Sequence, residues 1–293
     1  MKIVSLLPAA TEIVSALGLL DCLVGRSHEC DFPDEVLDVP PLTRSRLDTS
    51  LPGETLDREV RRIVEQRLPI YVLDDERLAA LRPDVVVTQE ACEVCAVAKE
   101  QVVGSLRRTA CDASVVSLLP TRLDHVFEDV VSVARACGIE GRGERLAAEL
   151  RGRMRAAMLA GTRPRVAVVE WLAPPMLAGH WVPEAIEAAG GLALGPGPGE
   201  RSIDVSWDEV RALQPDAVVV APCGFDLART IHESRPWTEM LRSLAPRVLL
   251  LDGNAYLNRP GPRIVDAIEM LAAWLRGAPV PAGRGTDLQS QME

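Results

Sequence analysis

The chain has 293 residues, 47% hydrophobic and 25% charged, with a formal net charge of −10. That length exceeds one ordinary core and fits two domains of roughly 100–150 residues. The acidic balance excludes a nucleic-acid partner, which needs a basic stripe, and no run approaches the roughly 20 apolar residues of a membrane insertion.

Compact runs rich in Val and Leu predict strands at 3–7, 23–25, 85–88, 115–118, 166–170, 217–221 and 248–251. Such runs are what strands buried on both faces require. Helical patterns fall between them, at 10–17, 56–66, 184–189 and 262–275, and Ser206 with Glu209 forms a capping-box pair. Alternation of this kind predicts parallel α/β sheets with helical crossovers. Leu81-Arg-Pro-Asp84-Val-Val-Val87 recurs as Leu213-Gln-Pro-Asp216-Ala-Val-Val-Val220, which argues for two lobes on one plan. Residues 122–160 read as helical with a break at 138–143, and the later part spans about 25 Å at 1.5 Å per residue. The expected division is an N-terminal α/β lobe over 1–140, a connecting helix over 141–161, and a C-terminal α/β lobe over 162–277. The Pro/Gly-rich stretch 278–293 is expected to be disordered.

The apolar run near the N-terminus is interrupted by Pro8, Thr11 and Glu12, and no small-residue cleavage site follows. The expectation is therefore a cytoplasmic protein, or a periplasmic or extracellular one if the true start lies upstream. In a reducing cytosol the seven cysteines do not call for structural disulfides.

Ligands of open parallel sheets bind beyond the carboxyl ends of the strands. Following the first strand come Pro8 and Ala10, and after the second RSHECDFP with His28, Glu29, Cys30 and Asp31. The third leads to QEACEVC with Cys92 and Cys95. Trp171, His180 and Trp181 follow the strand at 166–170, Cys223 and Phe225 the next, and Asn254, Tyr256 and Arg259 the last. Cys92 and Cys95 have three readings: ligands to Zn or an iron–sulfur cluster, a redox pair opening a helix, or small hydrophobes of the core. The metal reading needs company, and His28 and Cys30 can supply it, with Glu29 or Asp31 as oxygen alternatives. His180 with Trp181 also has a plain reading as a packing pair. Cys22, Cys111 and Cys137 receive no role. No G-x-S-x-G is present, and GPGPG at 195–199 follows no strand as a dinucleotide loop must, so it reads as a flexible surface loop.

SLLPAATEIVSALGL, LRPDVVVTQ, the long middle helix and the closing VDAIEMLA helix resemble the cobalamin and ferric-siderophore class of ABC-importer solute-binding proteins. The resemblance covers about residues 2–276. It is closer still to the subgroup labelled cobalamin-binding proteins at RSHECDFP, TQEACEVCAV, AGHWVPE and DGNAYLNRPGPR. The resemblance implies two doubly wound α/β lobes joined by a single long helix, with a ligand cleft between lobes. It implies a corrinoid or related metal chelate as ligand, with His28 or His180 as an axial donor to cobalt, and an ABC permease as partner if the chain is exported. Exported members carry a leader or lipoprotein Cys, which is not apparent here. The alternative is therefore a cytosolic metalloprotein or enzyme on the same fold, with Zn or an iron–sulfur cluster on His28, Cys30, Cys92 and Cys95. A binding protein is favoured over an enzyme, since no substrate or reaction can be read from the chain.

Overall fold

A computed structural model describes residues 1–66, 68–89, 97–158 and 161–288. Two compact units emerge: the first takes Met1–Leu51, Thr55–Pro120 and Asp124–Glu149, the second Pro52–Glu54, Thr121–Leu123 and the chain from Leu150 onward.

The first unit opens with β1 (Ile3–Ser5), α1 (Pro8–Ala16), β2 (Leu23–Arg26), β3 (Thr43–Ser45), α2 (Gly53–Glu65) and β4 (Tyr71–Leu73). It continues with α3 (Asp75–Leu81), β5 (Val85–Gln89), α4 (Lys99–Arg108), β6 (Ser114–Leu118), α5 (Leu123–Ala136) and the start of α6 (Glu140–Ala157). Its sheet runs β2-β1-β5-β6 with every pairing parallel, and β3 pairs β4 in a small antiparallel ribbon. Val4 and Val86 are neighbours in the ladder and both are fully buried, which explains the unbroken apolar runs. Proline at the first helical position suits α1, because that N–H has no partner within a helix anyway.

The second unit contains β7 (Arg165–Leu172), β8 (Pro175–Leu177), α7 (Val182–Ala188), β9 (Leu192–Leu194), β10 (Ile203–Asp204) and α8 (Trp207–Ala212). There follow β11 (Ala217–Val220), α9 (Leu227–Ser234), α10 (Thr238–Leu244), β12 (Arg247–Leu251), α11 (Ile264–Leu275) and β13 (Gly285–Asp287). Strands β9, β7, β11 and β12 are parallel, while β8 pairs antiparallel between β7 and β10, and β13 pairs antiparallel with β12. No helix among the described residues is long and apolar enough to cross a membrane.

The repeated Leu-x-Pro-Asp step has one structural meaning in both units. Arg82 and Gln214 each close a helix with left-handed backbone, at φ 47° and 49°. The backbone N–H of Lys2 donates to Asp84 Oδ2 at 2.7 Å, and that of Arg165 donates to Asp216 Oδ2 at 2.7 Å. Lys2 Nζ reaches the Leu81 carbonyl, and Arg165 Nη2 the equivalent Leu213 carbonyl. Each unit thus uses one aspartate to fasten the start of its central strand to a neighbouring strand.

Three expectations need correction. The helical break is shorter than 138–143: α6 begins at Glu140 and takes in Gly141 and Gly143 of that break. A Cβ on Gly143 would overlap Ala134 Cβ and stand 3.1 Å from Val131 Cα, so this glycine brings α6 against α5 instead of ending it. The stretch after Gly277 is not wholly disordered, because β13 pairs with β12, Leu288 is buried, and Asp287 accepts a hydrogen bond from Trp274 Nε1 at 3.1 Å. The GPGPG segment is fastened as well, since Gly197 N–H donates to Glu200 Oε2 at 2.7 Å and Gly199 N–H to the His180 carbonyl at 2.9 Å.

Candidate functional site

At the strand ends of the first unit, hydroxyls do most of the fastening. Ser5 Oγ donates to the Leu7 carbonyl at 3.0 Å, and Thr11 Oγ1 stands 2.8 Å from Ser5 Oγ and 2.9 Å from Cys30 Sγ. Thr11 has a single proton to give; when it goes to Ser5, the Cys30 thiol is the donor to Thr11. Cys30 is 1% exposed, so its sulfur belongs to this internal chain of hydrogen bonds. Pro8 is half-buried where α1 begins, and Ala10 is fully buried within that helix.

His28 faces another way. Its Nδ1 stands 2.7 Å from Thr43 Oγ1, and its backbone N–H donates to the same oxygen at 3.0 Å. Thr43 Oγ1 is also 3.1 Å from Ser27 Oγ. The His28 ring lies 5.5 Å from that of Tyr71, whose hydroxyl donates to Glu29 Oε1 at 2.7 Å. His28 Nε2 is shielded from solvent and has no hydrogen-bond partner among the described residues, with Glu29 Oε1 at 4.0 Å. Burial, and then the nearby Arg26 charge, hold the His28 pKa below its usual value, so the imidazole is neutral at neutral pH. If Nδ1–H donates to Thr43, Nε2 carries a lone pair. Tyr71 and Thr43 were not legible as site residues: they meet through the β3–β4 ribbon, which pairs segments far apart in the chain.

Of the metal set His28, Cys30, Cys92 and Cys95, the structure describes two. Cys92 and Cys95 lie outside the described residues. Of the other two, His28 bonds to Thr43 and Cys30 to Thr11. Among the described residues no group of three or more His, Cys, Asp or Glu is placed to hold a metal ion.

In the second unit, β7 delivers Glu170 and Trp171 to its carboxyl end. Trp171 packs on Phe225 at 5.0 Å between centroids, and the Arg229 guanidinium covers Phe225 at 3.8 Å. Trp171 Nε1 is buried without a hydrogen-bond partner among the described residues. Burial raises the Glu170 pKa, partly offset by the Ser202 hydroxyl that bonds to it. Ser202 Oγ also accepts the Gly179 N–H at 3.0 Å. His180 follows with left-handed backbone at φ 54°, its N–H donating to the Glu200 carbonyl at 2.6 Å. Burial, then Arg201, lowers the His180 pKa. Its ring stacks on Trp181 at 5.8 Å, and Trp181 Nε1 donates to the Leu257 carbonyl at 2.8 Å.

The loops after β11 and β12 are knitted by main-chain and side-chain bonds together. Cys223 is exposed and its N–H donates to the Glu170 carbonyl, while Asn254 N–H donates to the Phe225 carbonyl. Arg259 Nη2 donates to Asn254 Oδ1 at 2.9 Å. Phe225 and Tyr256 are buried at 3% and 7% exposure, so they support the strand edge from within more than they face outward. The sequence-proposed set thus divides into a His28–Glu29 group in one unit, with Trp171–Phe225, His180–Trp181 and Asn254–Arg259 groups in the other.

Comparison with known proteins places this arrangement. The chain is 22% identical over 280 residues to a vitamin B12-binding protein of Vibrio cholerae serotype O1, covering 94% of this chain and 89% of that protein. Its structure resembles the crystal structure of the periplasmic vitamin B12 binding protein of Vibrio cholerae, with TM-score 0.66, 21% identity, and 94% and 96% of the two chains covered. It also resembles a periplasmic heme binding protein from Pseudomonas aeruginosa, with TM-score 0.70, 22% identity, and 98% and 97% covered. These likenesses show a shared two-lobed α/β fold. The profile described as periplasmic binding protein matches residues 3–240, most of the chain, and the chain belongs to that family.

Proposed function

We propose that the protein binds a metal-centred tetrapyrrole, with a corrinoid such as cobalamin as the first reading, and delivers it to an ABC permease. Relatives named for vitamin B12 and heme binding support the ligand class. The observation that carries the reading is chemical: at the strand ends or just beyond them stand a neutral imidazole at His28, a second at His180, and the indoles of Trp171 and Trp181. Imidazole nitrogen suits cobalt, and aromatic faces suit a broad, mostly apolar macrocycle. Glu29 in the first unit, and Cys223 and Asn254 in the second, are each unit's further proposed contacts, with Arg259, 4% exposed, holding Asn254 from within. Heme is the second reading, favoured by the Tyr71 hydroxyl: donating to Glu29, it gathers negative charge on an oxygen suited to ferric iron. The carrier role places the protein outside the cytoplasmic membrane.

Titration of the purified protein with cyanocobalamin, and separately with haemin, should shift the visible bands of one of them saturably at micromolar concentration. Unchanged spectra and no calorimetric signal with either would end this reading.

A further inference from the structure

We infer that Arg26 is a positioning residue, a buried guanidinium that gathers the carbonyls of the 27–39 loop and so sets where His28 and Glu29 stand. Arg26 closes β2 and is 8% exposed. Its side chain meets five carbonyls: Nε donates to Val39 O at 2.9 Å, Nη1 to Ser27, His28 and Cys30 O at 3.0, 3.4 and 3.2 Å, and Nη2 to Leu37 O at 3.4 Å. No carboxylate bonds to it among the described residues. Among the described residues carbonyl dipoles solvate the charge, an arrangement that persists only if the loop keeps its shape.

The main chain of the same residue ties the far end of the loop. Arg26 N–H donates to Pro40 O at 3.1 Å, and Leu42 N–H donates to Arg26 O at 2.8 Å. One residue therefore holds both ends of the segment and its middle. Of its own that segment has only a turn closed by Cys30 N–H on the Ser27 carbonyl at 3.1 Å and a short 3-10 turn over Asp34–Asp38. His28 is gripped on two sides, at its carbonyl by Arg26 and at its N–H and Nδ1 by Thr43. Lysine would keep the charge but not the planar fork, since an ammonium has three donors on one atom and cannot reach carbonyls on both flanks.

The inference deepens the proposed function, and rests on it only for its binding arm. In the ligand-free full-length protein, the Arg26 Nε–H should exchange slowly, and in Arg26→Lys the His28 ring nitrogen resonances should move while those of the other histidines stay. A fast-exchanging Arg26 Nε–H in the unaltered protein overturns the inference with no variant needed, and so does an Arg26→Lys protein whose His28 signals are unmoved. In the binding arm, Arg26→Lys should weaken cyanocobalamin or haemin about tenfold in the parent and clearly less in a His28→Ala background, where only the displacement of Glu29 remains. An equal loss in both backgrounds overturns the inference, because Arg26 would then act independently of His28. If the parent binds neither compound, the proposed function falls and the resonance arm still decides this one.

Discussion

The two units begin their central strands identically and finish them differently. Both clamp the entry with a Leu-x-Pro-Asp step, a left-handed residue and an aspartate accepting a strand N–H at 2.7 Å. At the exit, the first unit relies on side chains: Thr43, Thr11, Ser27 and the Arg26 fork. The second has side-chain bonds too, as from Arg259 to Asn254, but adds aromatic stacking and close glycine approaches to backbone, as at Gly253 and Gly179. A scaffold can therefore be common while the means of holding a loop is local. The first exit is vulnerable to loss of one hydroxyl or cation, the second to gain of one methyl.

The largest break in this contrast should come from Gly253→Ala. An added Cβ would overlap the Pro222 carbonyl and stand 2.8 Å from Ala221 C, both backbone atoms that cannot swing aside. A loss of about 3 kcal/mol is expected in urea unfolding. A change below about 0.5 kcal/mol would show that the loop yields freely, contrary to the account of the second unit.

Thr43→Val should cost the first unit about 2 kcal/mol, because His28 N–H, His28 Nδ1 and Ser27 Oγ all lose a shared partner. The check is denaturation of Thr43→Val beside Thr43→Ser. Serine should restore most of the loss; equal losses would trace the effect to packing.

Buried acids sharpen the comparison through pH. Asp129, in α5, accepts the Leu119 N–H, but its Oδ2 is buried without a partner among the described residues. Burial and then the Glu128 charge raise its pKa from 3.8 to about 7. The folded chain thus holds this proton more tightly than the unfolded one. The resulting stability is complete below the unfolded pKa and is lost as pH rises through about 7. The decline runs from about 3.8 up to about 7, so Asp129→Asn should raise the melting temperature most at pH 8, less at pH 5 and least at pH 3. An equal rise at all three pH values would refute ionisation as the cause. Glu170 is shifted in the same direction, so the second unit should lose stability with rising pH as well.

The smallest effects test the shared entry clamp. Asp84→Ala and Asp216→Ala should each cost about 1 kcal/mol, and by similar amounts. Chemical denaturation that finds one aspartate dispensable would dissolve the equivalence.

Much of this was legible in the chain. Val85-Val86-Val87 and Ala217-Val-Val-Val220 announce strands, since residues covered on both faces leave no polar alternation to confuse the reading. His28, His180 and Cys223 were legible as loop residues beyond strand ends, whereas Trp171, expected just past its strand, lies inside β7 and pairs with Met176 of β8. The short edge strands were not legible: Thr43 pairs with Leu73 and Leu251 with Gly285, and two or three residues carry too little pattern to reveal a distant partner. The start of α6 was hidden because glycine reads as a breaker, and only its contact with Ala134 explains its place inside a helix.

Local chemistry in the chain determined the order of elements, the two-fold plan and the candidate loops, because periodicity, capping and turn residues act between neighbours. Tertiary structure alone decided which polar groups meet: that Arg26 turns inward to five carbonyls, that Tyr71 joins Glu29, and that Cys30 and His28 part to different threonines. Those pairings depend on where distant segments are folded in space, and no spacing along the chain encodes them.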